Sequence, residues 1–124
     1  GIGFFNLSGF YPDFIMWVKY QNKQIICFLD PKGLEHQKSL DSEKVQLHKE
    51  IKEIEKQLGN KDIILESFVL SITPYDSLIK GLVNPTSQKE YENNHILFLG
   101  SIWSGWQDRL FDILEKSISA NNSE

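Results

Sequence analysis

The chain has 124 residues, 40% hydrophobic and 24% charged, and 13 Lys and Arg against 17 Asp and Glu leave a net charge of −4. That length supports one domain with a real core over residues 1–124, while the acidic balance argues against strong unaided binding to nucleic acid, which draws its affinity mainly from Lys and Arg. A single cysteine, Cys27, excludes a disulfide framework and a cysteine-based zinc site; no apolar run nears the ~20 residues of a membrane span, so a cytoplasmic protein is expected.

The chain opens Gly-Ile-Gly without a starting Met, which suggests a domain cut from a longer polypeptide. Residues 1–7 read as a strand, and Ser8-Gly9 as a turn leading into Tyr11-Pro12-Asp13. Two β-branched and aromatic runs follow, Phe14–Tyr20 and Gln24–Leu29, separated by a short polar stretch. Both runs are apolar on both faces, which predicts strands in the middle of a covered sheet. Cys27 reads as a small buried hydrophobe.

Residues 34–40 form a polar connection. Asp41 or Ser42 then caps a helix that runs to about Leu58 and stops at Gly59-Asn60. Its apolar stripe is Val45, Ile51, Ile54 and Leu58, with His48 in the same row as a satisfied core histidine; the lysines and glutamates read as a solvated face. Residues 63–72 are a further strand, ended at Thr73-Pro74, and 75–95 read as a loop with one helical turn. Ile96–Leu99 is a short buried strand. A last amphipathic helix over 104–118 carries Trp106, Leu110, Leu114 and Ile118 at steps of four, followed by a frayed tail from Ala120. The order predicts an α/β fold: a mixed sheet flanked by helices.

If Gln21-Asn22 form a two-residue hairpin loop, facing residues have numbers summing to 43. Asp13 then lies opposite Asp30, and Lys32 follows Asp30 at the spacing that keeps a strand side chain on one face. Two adjacent carboxylates repel beside an apolar core unless a cation sits between them, and Mg²⁺ takes one or two carboxylates together with water and substrate phosphate. Lys32 beside them suits steadying negative charge in metal-assisted phosphodiester hydrolysis. As punctuation between elements, Pro-Asp and Asp-Pro-Lys-Gly have an ordinary reading too.

Pro12-Asp13, the hydrophobic hairpin and Asp30-Pro31-Lys32 resemble the PD-(D/E)xK pattern of restriction-endonuclease-like nucleases. The wider strings, residues 10–14 (FYPDF) and 28–34 (FLDPKGL), are similar to the endonuclease domain at the C-terminus of helicase-type restriction proteins such as type III Res subunits. The resemblance implies an αβββαβ core whose first helix would precede Gly1; that helix often adds an acidic residue and is missing from this sequence. It implies a DNA endonuclease of a restriction or helicase-nuclease protein, dependent on Mg²⁺ with Mn²⁺ as a substitute. Asp13, Asp30 and the Pro31 carbonyl would hold the metal, and Lys32 would orient the attacking water. The implied partners are DNA and an upstream helicase motor, which would grip the nucleic acid.

The alternative is a nuclease-like fold kept as a catalytically silent docking or dimerisation module. His36 reads as a loop histidine near the site, His95 precedes a strand without partners, and Trp103 and Trp106 read as core or as a docking face. The three histidines lack the spacing of a zinc site. No Gly-rich phosphate loop, serine elbow or kinase signature is present, so ATP turnover does not belong to this sequence.

Overall fold

The structure is a computed structural model that describes residues 13–34, 43–100 and 105–122. Expectations that rest on the remaining positions lie outside it: the strand at 1–7, the Pro12 and His36 assignments, the Asp41/Ser42 cap and the role of Trp103. So do the side chains of Lys44 and Val45.

The apolar runs pair as the two-residue loop requires. β1 (Phe14–Tyr20) and β2 (Lys23–Lys32) are antiparallel from Tyr20↔Lys23 to Phe14↔Leu29. Gln21 takes a positive φ of 55° at the first turn position, the twist that tight hairpins favour. After α1 (Glu43–Leu58), the chain returns as β3 (Ile63–Ser71), parallel to β2. Gly59 ends α1 at φ 64°, where a Cβ would be strained.

Residues 75–95 differ from the expected loop. They hold two short helices, α2 (Tyr75–Leu78) and α3 (Gln88–Asn93). The Ser87 hydroxyl caps α3 by accepting from the Glu90 N–H, a signal in Ser-Gln-Lys-Glu that the polar composition concealed. β4 (Ile96–Phe98) then pairs parallel with the end of β3, and α4 spans Trp106–Asn122. The helix therefore continues past Ala120, where fraying was expected.

The described sheet is four-stranded and mixed, in the order β1-β2-β3-β4, with helices on both faces. This is the mixed α/β architecture that the element order predicts. On one face Ile25, Cys27, Phe68 and Leu97 pack against Leu110, Leu114 and Ile118 of α4, with Trp106 partly buried beside them. On the other, Ile26, Phe28 and Leu65 meet Ile51, Ile54 and Leu58 of α1. Further along that face Leu34, Val69 and Phe98 pack against Leu78 and Tyr91 of the short helices.

The expectation of two covered strands holds for β2 and fails for β1. β2 is buried on both faces, whereas β1 is the edge among the described residues and exposes Phe14, Ile15 and Trp17. α1 lies over β2 and β3, which leaves the Ile15–Trp17 face beyond its reach. Among the described residues, no helix is long and apolar enough to cross a membrane.

Candidate functional site

The hairpin register decides what meets at its open end. The ladder stops at Phe14↔Leu29, so Asp13 is the residue before and Asp30 the residue after the last facing pair. Asp13 is exposed there, immediately before β1, while Asp30 is 5% exposed inside β2. Lys32 shares the face of Asp30, with its ammonium 3.9 Å from Asp30 Oδ1. The structure thus brings Asp30 and Lys32 into ion-pair contact and leaves Asp13 just past the last paired residue.

Pro31 fits this position for a backbone reason. Gln24 N–H and Lys32 C=O both bond toward the β3 side, so even-numbered residues of β2 face β3 and odd-numbered ones face β1. Pro31 therefore directs its carbonyl to the β1 side beyond the end of β1, where its missing N–H costs no β1–β2 bond. Two carboxylates and a carbonyl are hard oxygen donors, the set that suits Mg²⁺. Among the described residues no group of three or more His, Cys, Asp and Glu is placed to hold a metal ion, so such a site would rely on this carbonyl and on water.

The segment after Lys32 is fixed from β3. Lys32 C=O accepts from Ile72 N–H at 2.9 Å, and Leu34 N–H donates to the buried Thr73 hydroxyl at 3.0 Å. Ser71 Oγ in turn donates to the Thr73 carbonyl at 2.7 Å. These bonds hold the backbone of Lys32 against the sheet, so its ammonium departs from a defined point.

A second polar cluster lies at the edge of β3, built from helix residues expected on a solvated face, from His48 and His95, and from Glu66 and Ser117. β4 pairs only with Val69–Ser71, so among the described residues the earlier part of β3 has no strand on that side. Side chains take over its backbone groups. Glu55 accepts from Leu65 N–H at 2.7 Å, and His95 Nδ1 lies 2.9 Å from the Ser67 carbonyl. A carbonyl only accepts, so Nδ1 carries the proton of the neutral imidazole.

Glu66, 1% exposed, sits at the centre of this cluster. Lys52 pairs with it at 2.7 Å and with Glu55 at 3.1 Å, and Ser117 Oγ donates to it at 2.5 Å. His95 Nδ1 is 3.7 Å from its other oxygen. Lys52 is therefore half of a largely buried ion pair, not part of a solvated face. His95 is not without partners: it stacks between His48 and Phe68, with ring centroids 4.4 and 4.6 Å away, at a φ of 65°. Nor is His48 a satisfied core histidine among the described residues, where its buried Nε2 has no hydrogen-bond partner.

Burial sets the protonation of this cluster. It pushes His48 down to about 4, helped by His95 and Lys49. It also lowers His95, against the opposing pull of Glu66 and the Ser67 carbonyl. Both rings are neutral near pH 7. Burial, reinforced by Glu66, raises the Cys27 thiol far above its ordinary value, so this cysteine is an inert core residue. The two stacked rings lie nearly parallel, at 22°, which prevents them from turning in-plane lone pairs onto one metal.

Comparisons with protein-family models, curated proteins and solved structures find no match for this chain.

Proposed function

We propose that this chain is a metal-dependent endodeoxyribonuclease domain of the PD-(D/E)xK type, belonging to a restriction or helicase-nuclease protein. The observation that supports the reading is the hairpin register: it ends at Phe14↔Leu29, so Asp13 and Asp30 are the residues next to the last facing pair at the open end of two hydrophobic strands, and Lys32 follows on the face of Asp30. In this reading Asp13, Asp30 and the Pro31 carbonyl hold Mg²⁺ or Mn²⁺. The bound ion would polarise the scissile phosphate and supply a nucleophilic water.

The chain's own residues have separate roles. Asp30 fixes the ion against the sheet, because its strand is buried between β1 and β3. Exposed Asp13 completes the set from the solvent side. Lys32, 41% exposed at its side chain, reaches outward to hold the attacking water and to offset the charge that builds on the phosphate.

The silent docking module remains the second reading, favoured by Phe14, Ile15 and Trp17 exposed along the β1 edge. Calorimetric titration with Mg²⁺ and Mn²⁺, on the wild type and on Asp30→Ala, separates the two. The nuclease reading expects binding in the wild type and its loss in the variant with the fold intact. Binding unchanged by the substitution removes the metal assignment, and no binding in either protein favours the docking module.

A further inference from the structure

Two open clefts adjoin on the side of the molecule formed by α1, α3 and α4. The first, of about 470 Å³, lies over the β3-edge cluster and has Lys49, Lys52 and Lys116 in its wall. The second, of about 520 Å³, shares Lys116 and adds Lys89 and Arg109. Among the described residues they hold together five basic side chains against Glu66, Glu92 and Asp112, a local excess of two positive charges in a chain of net charge −4.

The pairing within the clefts sharpens this excess. Glu66 is held by Lys52 at 2.7 Å, and Glu92 by Arg109 at 3.7 Å. Lys49, Lys89 and Lys116 have no ion-pair partner among the described residues, and all three are exposed. They stand on three different helices around a groove made of two clefts that share Ile113 and Lys116.

We propose that this groove docks the sugar–phosphate backbone of nucleic acid, with Lys49, Lys89 and Lys116 as its phosphate-binding cations. A single small anion would call for buried donors converging on one point; these ammonium groups are exposed and spread along open clefts, the arrangement that suits a repeating polyanion. Lysines at such a surface grip phosphates without reading sequence. The groove is separate from the Asp30 end. Cys27, the partner of Glu66 in the β2–β3 register, precedes Asp30 by three residues, roughly 10 Å along the strand, on the opposite face. The choice of nucleic acid over other polyanions rests on the nuclease reading.

The test is fluorescence anisotropy of a labelled duplex of about 20 base pairs, the length of two turns, in EDTA across a salt series. The 124-residue chain is compared with Lys49→Gln/Lys116→Gln, whose exposed positions spare the fold. The wild type is expected to bind at low salt. The double variant should bind at least about tenfold more weakly, with a log–log salt slope shallower by about two. Unchanged affinity and slope overturn the proposal, as does a wild type that binds no duplex. Polyglutamate bound as tightly as the duplex, and released by the same variant, also overturns it, in favour of an acidic protein segment. Adding Mg²⁺ separates the two readings. Lysine-dependent binding without cleavage keeps the groove and removes the nuclease; cleavage lost in Asp30→Ala, with duplex affinity indifferent to both lysines, does the reverse.

Discussion

The hairpin end and the β3 edge are both polar clusters beside one sheet, but they are assembled differently. Asp13, Asp30 and Lys32 come from a single hairpin, whose two-residue turn fixes every facing pair. Glu66, Lys52, His95, His48 and Ser117 come from β3, α1, the approach to β4 and α4. The first exposes Asp13 and much of Lys32, and is arranged to meet something outside the fold. The second turns inward and satisfies a strand edge that β4 is too short to cover. Residues at the first should therefore govern chemistry, and those at the second should govern stability.

On the proposed nuclease reading, the largest effect that divides them is on turnover. Lys32→Ala is expected to lower metal-dependent cleavage by about a thousandfold, or about 4 kcal/mol of transition-state stabilisation, with Mg²⁺ binding retained. Single-turnover cleavage beside calorimetric titration reads both quantities. A loss of binding equal to the loss of rate would make Lys32 a support for Asp30 and not a group acting on the reaction.

Lys52→Ala should do the opposite, sparing cleavage and costing about 3 kcal/mol in urea unfolding, because it leaves Glu66 buried without its cation. The double variant Lys52→Met/Glu66→Leu is expected to regain most of that loss, since a buried pair is often replaceable by apolar packing. If Lys52→Ala alone is neutral, water reaches Glu66 and the cluster is not the closed device that its burial indicates.

The contrast also explains what the sequence disclosed. Strand periodicity and a two-residue turn are local, so the register of the hairpin as far as Phe14↔Leu29 and the fold class were legible. The last helix was readable for the same reason, from Leu110, Leu114 and Ile118 on one face. Lys52 looked like any solvated helix lysine because its partner is on another element. His95 looked isolated because Ser67 and Phe68 come to it only through parallel pairing. One signal was present: Glu66 interrupts the apolar run Ile63–Ser71, and a charge inside a buried strand requires a partner. Exposure of β1 was not legible, because a run that is apolar on both faces does not say how far a covering helix extends.

Acid should weaken the edge before it weakens the hairpin. His48 has a folded pKa of about 4 against 6.5 unfolded, so the unfolded chain binds the proton first. Stability is then full above pH 6.5, declines as the pH falls toward 4, and levels off below that as far as this ring is concerned. His95, lowered in the same direction, adds to the slope. Since His48 is only half-buried, solvent screening keeps its share smaller than that of the Lys52–Glu66 pair. Urea midpoints at pH 7.5 and pH 5 should differ for the wild type and differ by less in His48→Phe, where only the His95 share remains. An equal slope in that variant would move the effect to other groups.

The smallest expected effect is the sharpest form of the comparison, because each region contains one residue at positive φ. Gln21 turns the hairpin at φ 55°, and His95 enters β4 at φ 65°. A glycine relieves the Cβ strain at either position, while the added freedom of the unfolded chain takes part of the gain back. At Gln21 the side chain is exposed at the turn, so Gln21→Gly should stabilise by about 0.5 kcal/mol and leave the register intact. At His95 the same backbone relief is outweighed. His95→Gly removes the ring that closes the Ser67 carbonyl and the stack between His48 and Phe68, and should destabilise by about 1 to 2 kcal/mol. Opposite signs at two positions of nearly equal φ would show that the hairpin turn is held by its backbone alone and the β3 edge by its side chains; two stabilising glycines would reduce the His95 contacts to incidental packing.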